Sequence, residues 1–426
     1  MKPSKINGTV FGDSSQTGET SRNTAGVKRR TFLAAGIASI SVGLSGCLGS
    51  RDRSLPSAPS GSWPQYMYDD RNTGSTRATA PSRGNLAWTS DAFTRWLPVT
   101  ADGEVYIGNV DSNPGPKIVG LDARDGSERW SVSIEEASHY TSALVGELLV
   151  AVYGDRIIAL NRTSGDQEWT ETLSGTVSYT DITAVSKEKL VLVPEYSRED
   201  AALTAFDATT GEQQWSTPLA GHAVDAPAVQ DDGVFVAAES ELYRLDITDG
   251  SQVWSESVED TALGPRVTAE GILLASNGEF AVHDAATGER LRRLDSYDGK
   301  AHGVALADGI AYWLTDENLT AIAVEDGTVE WRFDAVGCQE GLCVGQDTVV
   351  APVRSEEFDL ETPWPTIAAF DRETGDVRWY YHLDGFDVLF TTPPVLIDEA
   401  VYFAANTIDS LGVLGDIAPS NDSGLF

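Results

Sequence analysis

Histidine, cysteine and acidic side chains at fixed spacings carry much of protein chemistry, and this chain of 426 residues has few of them in such patterns. There is no G-x-S-x-G nucleophile elbow, H-E-x-x-H zinc motif or phosphate-binding P-loop. Adjacent carboxylates such as Glu356 and Glu357 carry little weight, because the whole chain is acidic. Its histidines show no metal-ligand spacing, and they are His139, His222, His283, His302 and His382. The sequence therefore predicts no catalytic, metal-binding or cofactor-binding residue.

Cys338 and Cys343 form the one close cysteine pair, in the segment CQEGLC. Outside the cytoplasm such a pair favours a disulfide, which would be worth about 2 kcal/mol for so short a loop. Free buried thiols and a redox or metal function are the alternatives. Two cysteines without a nearby histidine make a poor zinc site.

A turn motif repeated along the chain is the strongest pattern, and AFDATTGEQQW at residues 205–215 is a clear copy. The motif glycines are spaced 39, 46, 39, 38, 39 and 48 residues apart, and repetition at about 40 residues indicates a repeat architecture. These glycines are Gly126, Gly165, Gly211, Gly250, Gly288, Gly327 and Gly375. A tryptophan follows six of them, at Trp130, Trp169, Trp215, Trp254, Trp331 and Trp379, whereas Arg292 stands at that position after Gly288.

Each repeat contains four short apolar or alternating runs separated by turn residues, which is typical of the blades of a β-propeller. The motif turn then joins the third and fourth strands of a blade, where glycine accepts a positive φ at no steric cost. The tryptophan falls in the outermost strand. A large ring there can cover the seam to the next blade and bury roughly 150–250 Å².

The pattern A-x-D-x-x-T-G-x-x-x-W resembles the tryptophan-docking motif of the PQQ-like, or quinoprotein-type, propellers. The resemblance covers about residues 63–405, and WPQYMYDDRNTG at residues 63–74 resembles the segment before the first blade of that family. It implies that each ring stacks on the turn of the neighbouring blade. Arg292 replaces a docking tryptophan, and Arg244 and Val282 replace the small residue that begins the motif. We therefore expect the fifth blade to dock least regularly.

The two ends of the repeat region predict one further blade. NLAWTSD at residues 85–91 has the pattern of an outermost strand with its own tryptophan, Trp88, and the stretch before residue 410 supplies two inner strands. The third strand is unclear within IDSLGVLGD. Joining the ends would remove open sheet edges. The prediction is an all-β fold, an eight-bladed β-propeller of four-stranded blades over residues 63–410, closed by the N-terminal strand, with a tail at 411–426.

The N-terminal region has the features of an export address. Arg29 and Arg30 precede an apolar run that is too short for a comfortable membrane span, and residues 1–46 are interpreted as a signal segment of the twin-arginine class. LSGC at residues 44–47 resembles a lipobox, in which Cys47 is lipidated. Residues 47–62 are rich in serine and proline and are interpreted as a tether. The predicted location is the outer face of the cell membrane.

The charge balance indicates the salt conditions in which the protein works rather than its molecular function. Without residues 1–46 the chain keeps 24 basic and 63 acidic side chains. Such a surface repels nucleic acid, and its self-repulsion is screened at high salt. Together with twin-arginine export, this favours an extreme halophile of the archaeal type. A dedicated cation-binding role is the alternative explanation of the acidity.

Three functions are consistent with the sequence. The first is a membrane-anchored scaffold without catalysis that binds an unknown protein partner at the cell surface, since the whole pattern resembles the lipoprotein propeller of bacterial outer-membrane assembly. The second is a quinoprotein-like dehydrogenase using PQQ and calcium. That family's adjacent cysteine pair is missing here, and none of its ligand positions carries over to this chain. The third is binding of an extracellular solute or polysaccharide.

The insertions in the repeat predict a binding face. They are NVDSNPGPK (109–117), PEYSREDA (194–201) and PVRSEEFDLETPWPT (352–366), all placed between second and third strands and therefore on one face. Insertions gathered on one face of a repeat protein often mark its binding side. Phe358 and Trp364 are the predicted apolar anchors. Drift in loop length is the alternative.

Overall fold

The computed structural model describes residues 53–418, apart from residues 91, 93, 95, 110–114, 135–139, 178–180, 186, 188, 197–200, 259–260, 277, 298, 338–340, 355–357, 359–365, 383–391 and 406–409. The described residues form antiparallel strands in eight sheets, each built from four principal strands. The predicted all-β, eight-bladed propeller is therefore confirmed. Within the described part of the chain, no helix is long and apolar enough to cross a bilayer.

The first four blades follow one another along the chain, with the innermost strand first. Blade 1 comprises β1 (Ser62–Trp63), β3 (Val99–Ala101), β4 (Glu104–Asn109), β5 (Lys117–Asp122) and β6 (Glu128–Ser133). Blade 2 comprises β7 (Tyr140–Val145), β8 (Leu148–Tyr153), β9 (Arg156–Asn161) and β10 (Gln167–Thr172). Blade 3 comprises β11 (Thr183–Val185), β12 (Leu190–Tyr196), β13 (Ala201–Asp207) and β14 (Gln213–Leu219). Blade 4 comprises β15 (Ala228–Gln230), β16 (Gly233–Ala238), β17 (Glu241–Asp246) and β18 (Gln252–Ser257).

The remaining blades complete the ring. Blade 5 comprises β19 (Thr261–Val267), β20 (Ile272–Ser276), β21 (Glu279–His283) and β22 (Arg290–Ser296). Blade 6 comprises β23 (Ala301–Ala307), β24 (Ile310–Thr315), β25 (Asn318–Ala323) and β26 (Val329–Asp334). Blade 7 comprises β27 (Val336–Gly337), β28 (Cys343–Val344), β29 (Thr348–Arg354), β30 (Thr366–Asp371) and β31 (Val377–His382). Blade 8 comprises β32 (Val395–Ile397), β33 (Ala400–Ala405), β34 (Ser410–Gly415) and, from the start of the chain, β2 (Asn85–Thr89).

Blade 8 closes the ring through pairing of the two ends of the chain. β2 pairs with β34, so that Leu86 lies opposite Leu414 and Trp88 opposite Val413. The third strand that the sequence left unclear is Ser410–Gly415, and Ile417 beyond it is buried. The predicted boundary at residue 410 is therefore too early, because the strand must complete the sheet before the propeller can end.

The burial of each strand follows from its place in the blade. The second strand of blade 4, GVFVAA, is buried at every position because neighbouring blades cover both of its faces. The outermost strand of the same blade, QVWSES, is exposed or half-buried along its length. Strong apolar runs therefore belong to inner strands, and the polar sequence around each tryptophan belongs to the rim.

Strand order defines two faces of the disc. The turns between first and second strands and between third and fourth strands lie on one side, which we call the turn face. The turns between second and third strands and the links between blades lie on the other side, the insertion face. The strands place all three insertions between β4 and β5, β12 and β13, and β29 and β30, and hence on the insertion face.

The innermost strands of the eight blades surround a central channel. Residues 62–79, which we call the strap, run around the mouth of this channel on the turn face. The strap begins as β1, which pairs with β3 of blade 1. It then makes a hydrogen bond of 2.6–3.0 Å to the inner-strand region of each of the other seven blades. Strap groups accept these bonds from the backbone N–H groups of Leu144, Ala184, Val229, Val267, Leu306, Val344 and Glu399.

Asn72 fixes the middle of the strap. Its side chain is completely buried, and its amide nitrogen donates to the carbonyl oxygens of Ala226 at 2.9 Å, Pro227 at 3.1 Å and Pro265 at 3.2 Å. These acceptors belong to the inner edges of blades 4 and 5. A buried amide without partners would cost about 1–3 kcal/mol, so the position holds the strap to two blades at once.

Residues 53–62, predicted as part of a tether, lie against the propeller instead. Leu55 is 3% exposed, and its N–H donates to the carbonyl oxygen of Arg124 at 2.8 Å. Ser60 donates to Asp398 through its backbone and its hydroxyl. An apolar side chain buried in the groove between blades 8 and 1 accounts for the difference. These contacts keep the segment on the turn face.

The motif tryptophans lie over the motif turns of the next blade. Gly250, at a φ of 70°, has the Trp215 ring so close that a Cβ would lie 2.5 Å from it. The Trp215 indole N–H donates to the carbonyl oxygen of Ile247 at 2.9 Å. The same ring-over-glycine arrangement joins Trp88 to Gly126, Trp130 to Gly165, Trp169 to Gly211, Trp254 to Gly288, Trp331 to Gly375 and Trp379 to Gly84.

The seam between blades 5 and 6 differs from the others. Arg292 does not approach Gly327, whose nearest neighbours come from Leu294 at 3.5 Å or more. Arg332 of blade 6 instead donates to Asp295 of blade 5 at 2.9 Å. At this seam an ion pair at the rim replaces the tryptophan ring that lies over a glycine at the other seams.

Replacement of Trp215 by alanine is expected to lower the free energy of unfolding by about 3–5 kcal/mol, because a large buried ring and its hydrogen bond are lost. Arg292→Ala is the matched control at the irregular seam and should cost less than about 1 kcal/mol. Urea unfolding of both variants in one salt buffer measures the difference. Equal losses for the two variants would contradict the seam assignment.

Candidate functional site

Only part of the insertion face lies within the described residues. Phe358 lies 4% exposed, with its ring centroid 4.8 Å from that of Tyr380 and 6.1 Å from that of Phe333. The prediction of Phe358 as an apolar anchor for a partner does not fit this position, because the ring is already buried against blades 6 and 7. Trp364 lies outside the described residues.

Of the predicted cysteine and arginine sites, one lies within the described residues and the others lie outside them. Cys343 is fully buried at the inner edge of blade 7 and forms no disulfide with another described residue, and burial raises the pKa of its thiol. Cys338 lies outside the described residues, so the disulfide stays a prediction. Arg29, Arg30 and Cys47 also lie outside them.

A charged cluster in the central channel is the strongest candidate site. Arg266, on the innermost strand of blade 5, is 1% exposed and donates to Asp225 at 2.9 Å. Tyr66 of the strap hydrogen-bonds to both residues. Asp181 acts electrostatically on Tyr66 and accepts a hydrogen bond from the Thr141 hydroxyl at 2.6 Å. The strap and blades 2 to 5 thus bring together groups far apart in sequence.

Electrostatics fixes the protonation state of this cluster. Burial, reinforced by the charge of Asp225, holds the pKa of Tyr66 well above its ordinary value, so the phenol stays protonated and acts as a donor. Burial alone would lower the pKa of Arg266, but the charge of Asp225 and the hydrogen bonds to Asp225 and Tyr66 together raise that pKa. The channel therefore holds a fixed cation beside the Asp225 carboxylate.

The arrangement leaves one donor of the cluster unpaired. Arg266 keeps its Nε atom without a hydrogen-bond partner, although its two terminal nitrogens bond to Asp225 and to the carbonyl oxygen of Gly264. In the described part of the chain, no group of three or more histidine, cysteine or acidic residues could hold a metal ion.

Sequence reasoning missed this cluster. Tyr66 lies in the segment before the first blade, Asp225 in the link between blades 3 and 4, and Arg266 in an inner strand. No short motif joins them, because only closure of the ring brings them together. The single available signal was an arginine within the otherwise apolar strand TALGPRV.

Replacement of Arg266 by methionine is expected to cost about 3–5 kcal/mol of unfolding free energy, because it leaves the carboxylate of Asp225 without its partner. The double variant Arg266→Met with Asp225→Asn should recover part of that loss. Urea unfolding of both single variants and the double variant gives the coupling energy. Strictly additive losses would contradict a shared ion pair.

Comparison with known proteins agrees with the propeller. A solved quinohemoprotein alcohol dehydrogenase from Comamonas testosteroni is 13% identical, covers 86% of this chain and 82% of its own, and has a TM-score of 0.63. The computationally designed Ika8 protein is 14% identical, covers 80% of this chain and 100% of its own, and has a TM-score of 0.58. Identities this low show the fold alone.

A curated relative is similar over a shorter stretch. The serine/threonine-protein kinase AfsK of Streptomyces coelicolor is 30% identical over 127 residues, which is 29% of this chain and 14% of the kinase. The family model PQQ_2, described as "Outer membrane protein assembly factor BamB", matches residues 72–193, 172–276 and 276–412. These matches span most of the propeller, so the chain belongs to the PQQ_2 family of β-propeller proteins.

Proposed function

We propose that this protein is a scaffold that binds a protein partner through its insertion face and is held at the outer surface of a cell membrane by lipidated Cys47. The observation that carries the proposal is the path of residues 53–62. Leu55 is hydrogen-bonded to Arg124 in the motif turn of blade 1. Ser60 is hydrogen-bonded to Asp398 in the turn between the first and second strands of blade 8. Both turns lie on the turn face. An anchor N-terminal to this segment would lie on that side.

The insertion face would then point away from the membrane, toward a partner. All three insertions lie there, and loops on a rigid scaffold carry binding more often than the scaffold itself. The description of the PQQ_2 family model as an assembly factor supports the same class of function. The partner surface would consist of the insertion loops together with short turns such as Glu239–Ser240 of blade 4.

A quinone-dependent dehydrogenase is the alternative, and the described channel residues do not fit it. Asp225 is committed to Arg266, and Asp181 accepts from Thr141. Cys343 lies within a packed core cluster, and the sequence has no adjacent cysteine pair. Dye reduction after addition of PQQ and calcium to the purified protein tests this alternative directly.

Photo-cross-linking from the two faces tests the scaffold. Ser240 and Asp249 are both exposed and lie in blade 4, one on the insertion face and the other on the turn face. A photoreactive residue at 240 should give a discrete cross-linked protein in intact cells, and the same residue at 249 should not. The reverse pattern would place the partner on the turn face, and no adduct from either position would count against the scaffold.

Cell fractionation tests the anchor separately. Cys47→Ala should move the protein from the membrane to the soluble extracytoplasmic fraction, because the lipid attachment site is lost. Cys343→Ala is the matched control and should stay with the membrane, since its thiol is buried. If Cys47→Ala remained in the membrane fraction, lipid anchoring would be ruled out while the face assignment could still stand.

A further inference from the structure

A large open cavity on the turn face is separate from the channel cluster and from the insertion face. It has a volume of about 1120 Å³ and lies between the strap and the first turns of blades 5, 6, 7 and 8. Pockets for small ligands are typically about 300–1,000 Å³, so this one has room for more than a single small ring. Its strap wall includes Tyr68, Arg71, Thr73, Ser75 and Arg77.

Two guanidinium groups in this wall have little or no pairing. Arg77 is exposed and makes no hydrogen bond or ion pair with any described residue. The Arg71 side chain makes one hydrogen bond of 3.3 Å, to the carbonyl oxygen of Val267, and no ion pair within the described part. The charge of Arg71 acts on the neighbouring Asp69 carboxylate without forming an ion pair. The chain has 30 basic against 65 acidic side chains, so arginines that face a cavity without an ion pair are unexpected.

The carboxylates around the cavity are largely committed elsewhere. Asp69 accepts from the N–H and the hydroxyl of Thr73 at 2.9 and 2.8 Å, and Asp398 accepts from Ser60 at 2.8 and 2.9 Å. Asp308 is paired with Arg372. Glu270 also lines the wall, and one of its carboxylate oxygens is buried without a hydrogen-bond partner. The charged donors of the wall that lack an ion pair are the guanidinium groups of Arg71 and Arg77, and these favour an anionic ligand.

The rest of the wall suits a sugar. Ser62, Ser75 and Thr76 line it together with Tyr68, whose ring packs edge-on against Trp63 at 5.2 Å between centroids. Hydroxyl side chains can exchange hydrogen bonds with sugar hydroxyls, and an aromatic ring can cover the C–H face of a sugar. Tyr68 holds a positive φ angle of 76°, and such strain often marks binding sites.

We propose that this cavity binds a short acidic oligosaccharide, whose carboxylates pair with Arg77 and Arg71 while its hydroxyl groups bond to the serine and threonine side chains. The site is independent of the proposed scaffold function, because it lies on the opposite face. A free oligosaccharide and the end of a surface polysaccharide share this chemistry, and the cavity is open to both.

Isothermal titration of the purified propeller with trigalacturonate tests the proposal, with maltotriose and triglutamate as probes that keep only the hydroxyls or only the carboxylates. Trigalacturonate should bind with one-to-one stoichiometry and at least about tenfold more tightly than either. Arg77→Gln should weaken it about tenfold, since a charge-assisted hydrogen bond is worth about 1.5–3 kcal/mol. A longer polygalacturonate that binds equally well would identify a chain end as the source.

Arg83→Gln is the matched control, because Arg83 is an exposed arginine just beyond the strap that does not line the cavity. Its affinity should equal that of the unmodified protein. Three outcomes overturn the proposal: absence of binding, equal binding of triglutamate, or trigalacturonate binding that is unchanged in Arg77→Gln. Circular dichroism of each variant confirms that the fold is retained.

Discussion

The hydrogen bonds between the strap and all the blades are the interaction on which the rest of the structure depends. A propeller blade contacts only its neighbours, so the ring has no common core that reaches every blade. Residues 62–79 supply one, through β1 on blade 1 and one hydrogen bond or more to each of the other seven blades. The same segment forms one wall of the channel site and one wall of the turn-face cavity, so both sites exist only when the ring is closed.

The seams between blades use a second, local interaction, and the fifth seam shows what it requires. At the regular seams an indole lies on a glycine of positive φ, and glycine is needed both for the backbone conformation and because a Cβ would collide with the ring. With Arg292 in place of the ring, the chain relies on Leu294 and on the Arg332–Asp295 ion pair. The pair sits at the rim, where screening by water and salt leaves it worth little.

Sequence reasoning recovered the fold because the fold is repetitive. Seven copies of one turn gave the number and order of the strands, and Trp88 with the C-terminal strands gave the closing blade. The end at residue 410 was missed because β34 resembles no other third strand until it is paired with β2. The packing of Leu55 was missed because a serine- and proline-rich composition predicts a flexible tether. Composition does not show that one apolar side chain is buried in a groove between blades.

The sites were much less predictable, and for a physical reason. Phe358 looked like a binding anchor because it lies in an insertion, yet its ring is buried beside Tyr380. Tyr66, Asp225 and Arg266 looked unrelated because they lie in three different segments of the chain. Local motifs describe turns, whereas these contacts arise from ring closure, which brings the strap beside every inner strand at once.

Ring closure also makes the two faces of the disc chemically different. The motif and first turns give the turn face its aspartates, and the strap adds Arg71 and Arg77 at its centre. The insertion face carries every long loop, while its opposite is crossed by residues 53–62. A partner large enough to touch several blades therefore meets least obstruction on the insertion face. The turn face is better suited to a small ligand, because the strap and the first turns of blades 5 to 8 enclose a cavity there.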